Sequence, residues 1–243
     1  MFSGKIEDYI LFEDKEIIVC RKPAGIAVQN ARIGAMDLES SLKNYLAMQA
    51  GGGRRIPYLA VIHRLDQPVE GILVFGKTPE AAKSLSAQIT AGKMEKIYLA
   101  VTYGQQAEPG KKETVLEDYL KKDGKSNTSS VVNANTPGAK KARLSYEVLG
   151  EAVDEISGKK KWLLRIHLDT GRHHQIRVQM AHAGMPLAGD RKYGAGTNVT
   201  IGAGSLALCA ASLTFLHPVT GKVMKFVTKP EGAEFKGISI PQM

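Results

Sequence analysis

The stretch YLAVIHRLDQPVEGILVFGKT, residues 58–78, decides how this sequence folds, because it places two β-rich runs around a polar break. The runs YLAVIHRL (58–65) and GILVFGKT (71–78) predict two strands. Pro68 cannot donate to a strand ladder, so the residues DQPVE between the runs must leave the sheet. Asp66 is therefore expected at a strand end or in the loop. A carboxylate there is a helix cap, a structural ion-pair partner or a catalytic group.

Strong local signals lie on both sides of this stretch. Before it, YILFEDKEIIVCRKPAG (9–25) predicts a hairpin, and DLESSLKNYLAMQ (37–49) predicts a helix. After it, Thr78-Pro79-Glu80 supplies an N-cap, a proline at the first helical position and an early acid. These three residues predict a helix from Pro79 to about Ala91.

The rest of the chain is rich in strand patterns. They occur in EKIYLAVTYG (95–104), TVLEDYL (114–120), ARLSYEVLG (142–150), KKWLLRIHL (160–168) and the closing pair SLALCAASLTFLHP (205–218) and VMKFVTKP (223–230). Residues 123–139 are expected to be the least ordered. No long helix follows each strand, so a doubly wound βαβ sheet is disfavoured. The sequence predicts an α+β fold with a mixed, mainly antiparallel β-sheet core and flanking helices.

One further helix is predicted within DTGRHHQIRVQMAHAG (169–184), with Gly184 as its C-terminal stop and Ile176, Met180 and Ala183 facing inward. Around its start lie Arg172, His173, His174, Gln175 and Arg177. Backbone N–H groups at a helix start favour a negative charge, so phosphate is the expected ligand. The alternative for Arg177 is an ion pair with an internal carboxylate.

Charge and composition favour a polyanion as partner. The 243 residues include 33 Lys and Arg against 24 Asp and Glu, and residues 140–192 alone contain 11 basic and 6 acidic residues. Cys20 and Cys209 lie in apolar runs, as expected in a reducing compartment. No run of 18 apolar residues occurs, so we expect a cytoplasmic protein that does not enter a membrane. We also expect a monomer.

The motifs of common cofactor sites are missing. His173 and His174 are expected to point in different directions, and no glutamate motif links His174 to His182, so no metal is predicted. The glycines at 51–53 lack the lysine and hydroxyl of a phosphate-binding loop, so no nucleotide cofactor is expected.

Three motifs together resemble a known family. HRLDQPVEGILVFGKT (63–78), KIYLAVTYG (96–104) and LDTGRHHQIRVQMAHAGMPLAGDRKYG (168–194), in this order, are similar to the RluA-type pseudouridine synthases, which isomerise uridine in ribosomal or transfer RNA. The similarity extends from residues 10–28 to residues 206–222, and therefore over nearly the whole chain. It implies a pseudouridine synthase-like catalytic fold as one domain over residues 1–243, without the N-terminal S4-like domain of many relatives, and a reaction that needs no cofactor.

The resemblance also implies roles for individual residues. Asp66 matches the essential carboxylate, Tyr98 the tyrosine that packs on the target base, and Arg177 the arginine that pairs with the catalytic aspartate. Arg64 matches the arginine that approaches the RNA beside the flipped nucleotide. Further RNA contacts are expected from the residues at the helix start, namely Arg172, His174 and Gln175.

The sequence departs from the family where Val69 and Glu70 replace the usual Thr-Ser, which affects substrate choice more than activity. Two other functions remain open. A non-catalytic RNA-binding or RNA-chaperone protein would use the same basic face without needing Asp66. A glycosidase would need a second acid near Asp66, for which Glu70 is the nearby candidate.

Overall fold

The computed structural model describes residues 3–30, 36–51, 56–103, 113–153, 158–194 and 205–242. In chain order these residues form β1 (Ile10–Glu13), β2 (Ile17–Lys22), α1 (Leu38–Gln49), β3 (Ala60–Val61), β4 (Glu70–Gly76), α2 (Pro79–Thr90), β5 (Glu95–Thr102), β6 (Thr114–Asp123), β7 (Thr128–Val132), β8 (Lys140–Val153), β9 (Lys160–Leu168), α3 (Gln175–His182), β10 (Leu208–Leu216) and β11 (Val223–Val227).

The chain divides into two compact units. The first unit comprises residues 1–95 and 210–229, and the second comprises residues 96–209 and 230–243. Helices α1 and α2 belong to the first unit and α3 to the second, and strands make up most of the regular structure in both. The predicted α+β class is therefore confirmed. The prediction of one catalytic domain over residues 1–243 stays a prediction.

The sheet of the first unit contains both predicted hairpins. β2 is antiparallel to β1 and to β4, and β10 is antiparallel to β11 and lies beside β4. The strand predicted over residues 58–65 is much shorter than expected. Only its two residues in β3 pair with another strand, and they pair with the last two residues of β4. The pairing stops where the backbone N–H of Val74 donates to His63 Nε2 instead of to a strand carbonyl. Asp66 consequently lies in the loop between β3 and β4, as predicted.

Helix α2 confirms the prediction made from its first three residues. The Thr78 side chain accepts a hydrogen bond from the Ala81 backbone N–H at 3.2 Å, and Pro79 occupies the first turn. Ala81 and Leu85 are fully buried in a cluster with Ile17, Val19, Ile72 and Val74 of β2 and β4. Full burial of one leucine side chain contributes roughly 1.5–3 kcal/mol, so this contact holds α2 on the sheet.

The second unit is an antiparallel sheet in the order β5-β9-β8-β6-β7. The expectation that residues 123–139 are poorly ordered is wrong, because they contain β7, which pairs with β6. The turn between these strands is held by the Asp123 carboxylate, which accepts hydrogen bonds from the Lys125 N–H and the Ser126 hydroxyl. Asn127 adopts a left-handed backbone with φ 50°, which asparagine tolerates better than most residues.

Helix α3 is short and enclosed. Six consecutive residues, 175–180, are buried, so the helix has no exposed polar face over this span. Ile176 and Met180 face inward as predicted, but Ala183 lies beyond the helix end and is exposed. Val178 packs against Leu120 and Ala142. In the described part of the chain, no helix is long and apolar enough to span a bilayer.

Candidate active site

Asp66 lies in a loop of the first unit that is anchored on both sides by apolar side chains. Leu65 and Val69 are buried, whereas Asp66 between them is only half-buried. The Val69 N–H donates to the Asp66 carbonyl at 3.0 Å and closes a tight turn. Arg64 is exposed. The local sequence therefore fixes the loop through its apolar neighbours and leaves the carboxylate within reach of solvent.

The glycine that ends this loop is required by its surroundings. Gly71 has φ 127°, and a Cβ atom there would lie 2.4 Å from the Ala210 carbonyl oxygen of β10. A side chain would collide with the neighbouring strand, and few L-residues adopt this backbone. Gly71 thus sets where the loop enters β4.

Lys22, which sequence reasoning did not single out, and Glu70, which it named as a candidate second acid, lie close to the Asp66 loop. Lys22 is completely buried at the end of β2, and Glu70 is buried at the start of β4. Burial lowers the pKa of Lys22 to about 8, although the charges of Asp66 and Glu70 act in the opposite direction. A lysine that stands between an arginine and a proline gives no sequence signal of burial.

In the second unit, Arg177 forms a buried ion pair with Asp190. Arg177 Nε donates to Oδ2 and Nη2 donates to Oδ1, both at 2.7 Å. Burial raises the pKa of Asp190, but the hydrogen bonds and charge of Arg177 and the N–H groups of Lys192 and Tyr193 outweigh it and lower the pKa. The alternative that Arg177 pairs with an internal carboxylate is confirmed. Its pairing with Asp66 stays a prediction.

The turn that carries Asp190 is shaped for this contact. Gly189 has φ 70°, and a Cβ atom there would lie 2.5 Å from the Ser205 carbonyl oxygen. The Arg177 guanidinium also lies over the Tyr193 ring, 5.1 Å from its centroid. The sequence GDRKYG (189–194) contains the glycine and aspartate of this turn, but nothing in it indicates that Asp190 pairs with Arg177, 13 residues earlier.

His174 is neutral and directed inward. Its backbone is left-handed with φ 53°, and its Nδ1 is hydrogen-bonded to the Tyr193 hydroxyl at 2.7 Å. Burial lowers the pKa of His174 to about 3, helped by the positive charges of Arg177, His173 and Lys192. The ring therefore carries no charge at neutral pH. Its contact with RNA stays a prediction.

The expectation that His173 and His174 point in different directions is wrong. Both precede the helix, and their rings stack with centroids 3.8 Å apart. His173 also bonds to Ser129 and Asn127, which ties the β6–β7 hairpin to the start of α3. Among the residues that the structure describes, no group of three or more His, Cys, Asp or Glu could hold a metal ion.

Gln175 and Arg172 differ in how far they are available to a ligand. Gln175 is buried, and its amide accepts from Thr170 and from the Arg172 N–H and donates to Arg143 and Gln179. Arg172 is exposed, with Nε donating to the Lys141 carbonyl at 2.9 Å. RNA contacts by both residues stay predictions, and the geometry favours Arg172.

Tyr98 lies in β5, opposite Ile166 of β9, and is buried. Leu99, Ala100 and Val101, which follow Tyr98 in the strand, are fully buried. Asp66 belongs to the first unit, and Tyr98 and Arg177 belong to the second. That these three side chains form one site stays a prediction.

Comparison with known proteins agrees with the resemblance found in the sequence. The family profile of RNA pseudouridylate synthases matches residues 16–182. The chain is 32% identical over 236 residues to ribosomal large subunit pseudouridine synthase D of Xylella fastidiosa, with 90% of this chain and 64% of the relative covered. It is 33% identical over 232 residues to the synthase D of Pseudomonas aeruginosa, covering 91% of this chain and 68% of the relative.

A solved structure shares the fold. Human RNA pseudouridylate synthase domain containing 4 superposes with a TM-score of 0.73 at 21% identity, over 93% of this chain and 90% of the human one. The chain thus spans nearly the whole of this structure but 64% of the length of the Xylella relative. The profile match and the identity to the curated relatives show that this chain belongs to the RNA pseudouridylate synthase family.

Proposed function

We propose that this chain is an RNA pseudouridine synthase that isomerises specific uridines in ribosomal or transfer RNA. The single observation that carries the proposal is the placement of Asp66, in a chain of this family, in a half-buried loop held by buried neighbours. The names of the curated relatives, ribosomal large subunit synthases, support ribosomal RNA as the substrate.

The reaction breaks the bond between N1 of uracil and C1′ of ribose, rotates the base, and forms a bond from C5 to C1′. The hydrogen on C5 leaves as a proton, and N1 ends protonated, so the product is an isomer of the substrate. An ionised Asp66 would act as a nucleophile at C6 or C1′, or remove a ribose proton in a glycal route. No electrons are exchanged with a carrier, which agrees with the expectation that no cofactor is needed.

The target base must leave its stack before Asp66 can reach it, at a cost of a few kcal/mol. A stacked aromatic ring returns roughly 1–3 kcal/mol per base. We assign this role to Tyr98, which would receive the base against the face of its ring. Arg177 would support the negative charge of Asp66, and Arg64 and Arg172 would hold phosphates on either side of the flipped nucleotide.

Pseudouridine maps test the proposal and identify the substrate. Ribosomal and transfer RNA are mapped in cells with and without this gene, and the proposal expects pseudouridine to disappear at one or a few sites. The wild-type gene should restore pseudouridine at these sites, and a gene that carries Asp66→Ala should not. This comparison separates catalysis from a non-catalytic RNA-binding role. Maps that do not differ would contradict the proposal.

We also propose that the protein acts as a monomer in the cytoplasm. Both cysteines are buried and unbridged, which suits a reducing compartment. Sedimentation of the purified protein at micromolar concentration should give the mass of one chain, 26.3 kDa. A sedimenting species of twice this mass would contradict the monomer.

A further inference from the structure

The buried ammonium of Lys22 has as many hydrogen-bond acceptors as it has protons. Nζ donates to the carbonyl oxygens of Ile26 at 2.7 Å, Pro23 at 3.0 Å and Gln67 at 3.1 Å. An ammonium has three N–H donors, whereas a neutral amine has two. All three bonds therefore exist together only while Lys22 is protonated.

These bonds join two segments that are far apart in the sequence. Gln67 follows Asp66 directly, and its carbonyl also accepts the Gly25 N–H at 2.8 Å. The Gln67 side chain donates back to the Gly25 carbonyl at 3.0 Å. The residue next to Asp66 is thus fastened to Gly25 by two hydrogen bonds and to Lys22 by a third, and Lys22 itself bonds to Pro23 and Ile26 of the same turn.

Glu70 lies close enough to Lys22 for its charge to act on the ammonium. Lys22 is opposite Gly71 in the antiparallel pairing of β2 with β4, so Glu70 is the neighbour of its cross-strand partner. Glu70 is buried, and it replaces a residue that is uncharged in the family pattern described above. The titratable groups that act on Lys22 are Asp66, Glu70 and Cys20.

We propose that Lys22 is the positioning residue that holds the loop of Asp66, and that Glu70 is the second counter-charge that keeps the buried ammonium protonated. This inference rests on the proposed function for the role of Asp66. Two carboxylates and one ammonium share the site, so removal of one carboxylate weakens the attraction on the ammonium and leaves its burial unchanged.

A pH effect follows from this arrangement. Because burial lowers the pKa of Lys22 to about 8, the ammonium loses its proton in the mildly alkaline range, and one of its three carbonyls loses its donor. We expect the rate of pseudouridine formation to fall as the pH rises through this value. In Glu70→Gln the rate of pseudouridine formation should begin to fall at a pH that is lower by roughly one unit.

The experiment follows Lys22 directly. Protein labelled with ¹³C-lysine is titrated, and the Cε resonance of Lys22 is identified by its absence from Lys22→Met. The midpoint should lie near pH 8. It should move to lower pH in Glu70→Gln, which keeps the shape of the side chain. Glu13→Gln is the matched control, because Glu13 pairs with Lys77 at the opposite end of β4 and should leave the midpoint unchanged.

The outcomes are distinct. The proposal is overturned if the Lys22 titration has the same midpoint in Glu70→Gln as in the wild type. It is also overturned if the rate of pseudouridine formation does not fall near the Lys22 midpoint in both proteins. If Lys22→Met does not fold, the resonance that moves in Glu70→Gln and not in Glu13→Gln identifies Lys22. If no RNA is modified at any pH while the midpoint still moves, the proposed function fails and the charge sharing between Glu70 and Lys22 stands.

Discussion

Two buried cations, Lys22 in the first unit and Arg177 in the second, are accommodated in different ways. Lys22 donates to three neutral carbonyls, whereas Arg177 forms a two-pronged bond with the Asp190 carboxylate. Burial lowers the pKa of Lys22 to about 8, so its charge can be lost. A guanidinium keeps its proton, and the lowered pKa of Asp190 keeps that partner charged at neutral pH.

The difference indicates separate tasks. The charges of the Arg177–Asp190 pair do not change over the working pH range, as a constant support for the negative charge of Asp66 requires. The Lys22 site responds to alkaline pH and lies beside the loop of the proposed catalytic group. A buried cation that is bound by carbonyls is thus a better candidate for tuning activity, and one that is bound by a carboxylate is a better candidate for stability.

The largest effect on stability is expected from Asp190→Asn. This change leaves the Arg177 charge buried without its counter-charge, which costs about 3–5 kcal/mol. Unfolding by urea should show the loss as a lower midpoint. Glu117→Gln is the control in the same unit, because Glu117 is half-exposed and pairs with Lys141 and Arg143. It should cost less than about 1 kcal/mol. Equal losses in the two variants would contradict the structural role of the buried pair.

A smaller effect is expected from His174 at acid pH. Its folded pKa of about 3 lies below the unfolded value near 6.5, so its contribution to stability is complete above pH 6.5 and is lost as the pH falls. From pH 7 to pH 5 the loss is about 2 kcal/mol. His174→Asn, which tolerates the left-handed backbone, should lose correspondingly less over this range.

His182→Asn serves as the control for the acid effect, since His182 is exposed and borders Asp118. This variant separates the burial of His174 from the general effect of replacing a histidine by asparagine. If His174→Asn follows the wild type between pH 7 and pH 5, the neutral and buried state of His174 is wrong.

The smallest effect is expected from Arg172→Ala, which should leave folding unchanged. If the exposed guanidinium binds one phosphate, the slope of log affinity against log salt should fall by about one. RNA binding is measured at several salt concentrations, with Lys83→Ala on the exposed side of α2 as the control. A slope equal to that of the wild type would remove Arg172 from the RNA interface.

Elements with dense local signals could be predicted from the sequence. The cap, proline and acid at the start of α2 act within one helical turn, and the β-branched and aromatic residues that predict β5 are equally local. β7 could not be predicted because its turn depends on the Asp123 carboxylate and on the backbone of Asn127. The shortening of β3 coincides with a hydrogen bond from the Val74 N–H to His63, a contact between side chain and backbone that strand propensity does not reveal.

The site could be predicted in part. Pro68 placed Asp66 in a loop, and the motifs indicated Tyr98 and Arg177, but the partners of the buried groups could not be found. Asp190 reaches Arg177 only because a glycine turn brings it back to the helix. The acceptors of Lys22 are backbone carbonyls, which every residue has, so no side-chain pattern could reveal them.

The most direct measurement of the central claim compares the product formed by wild-type protein and Asp66→Asn on the RNA identified by the maps. Asparagine keeps the size of the side chain and removes the negative charge. We expect no detectable pseudouridine from Asp66→Asn, with RNA affinity within a few-fold of the wild type. Product at the wild-type rate from this variant would contradict this expectation.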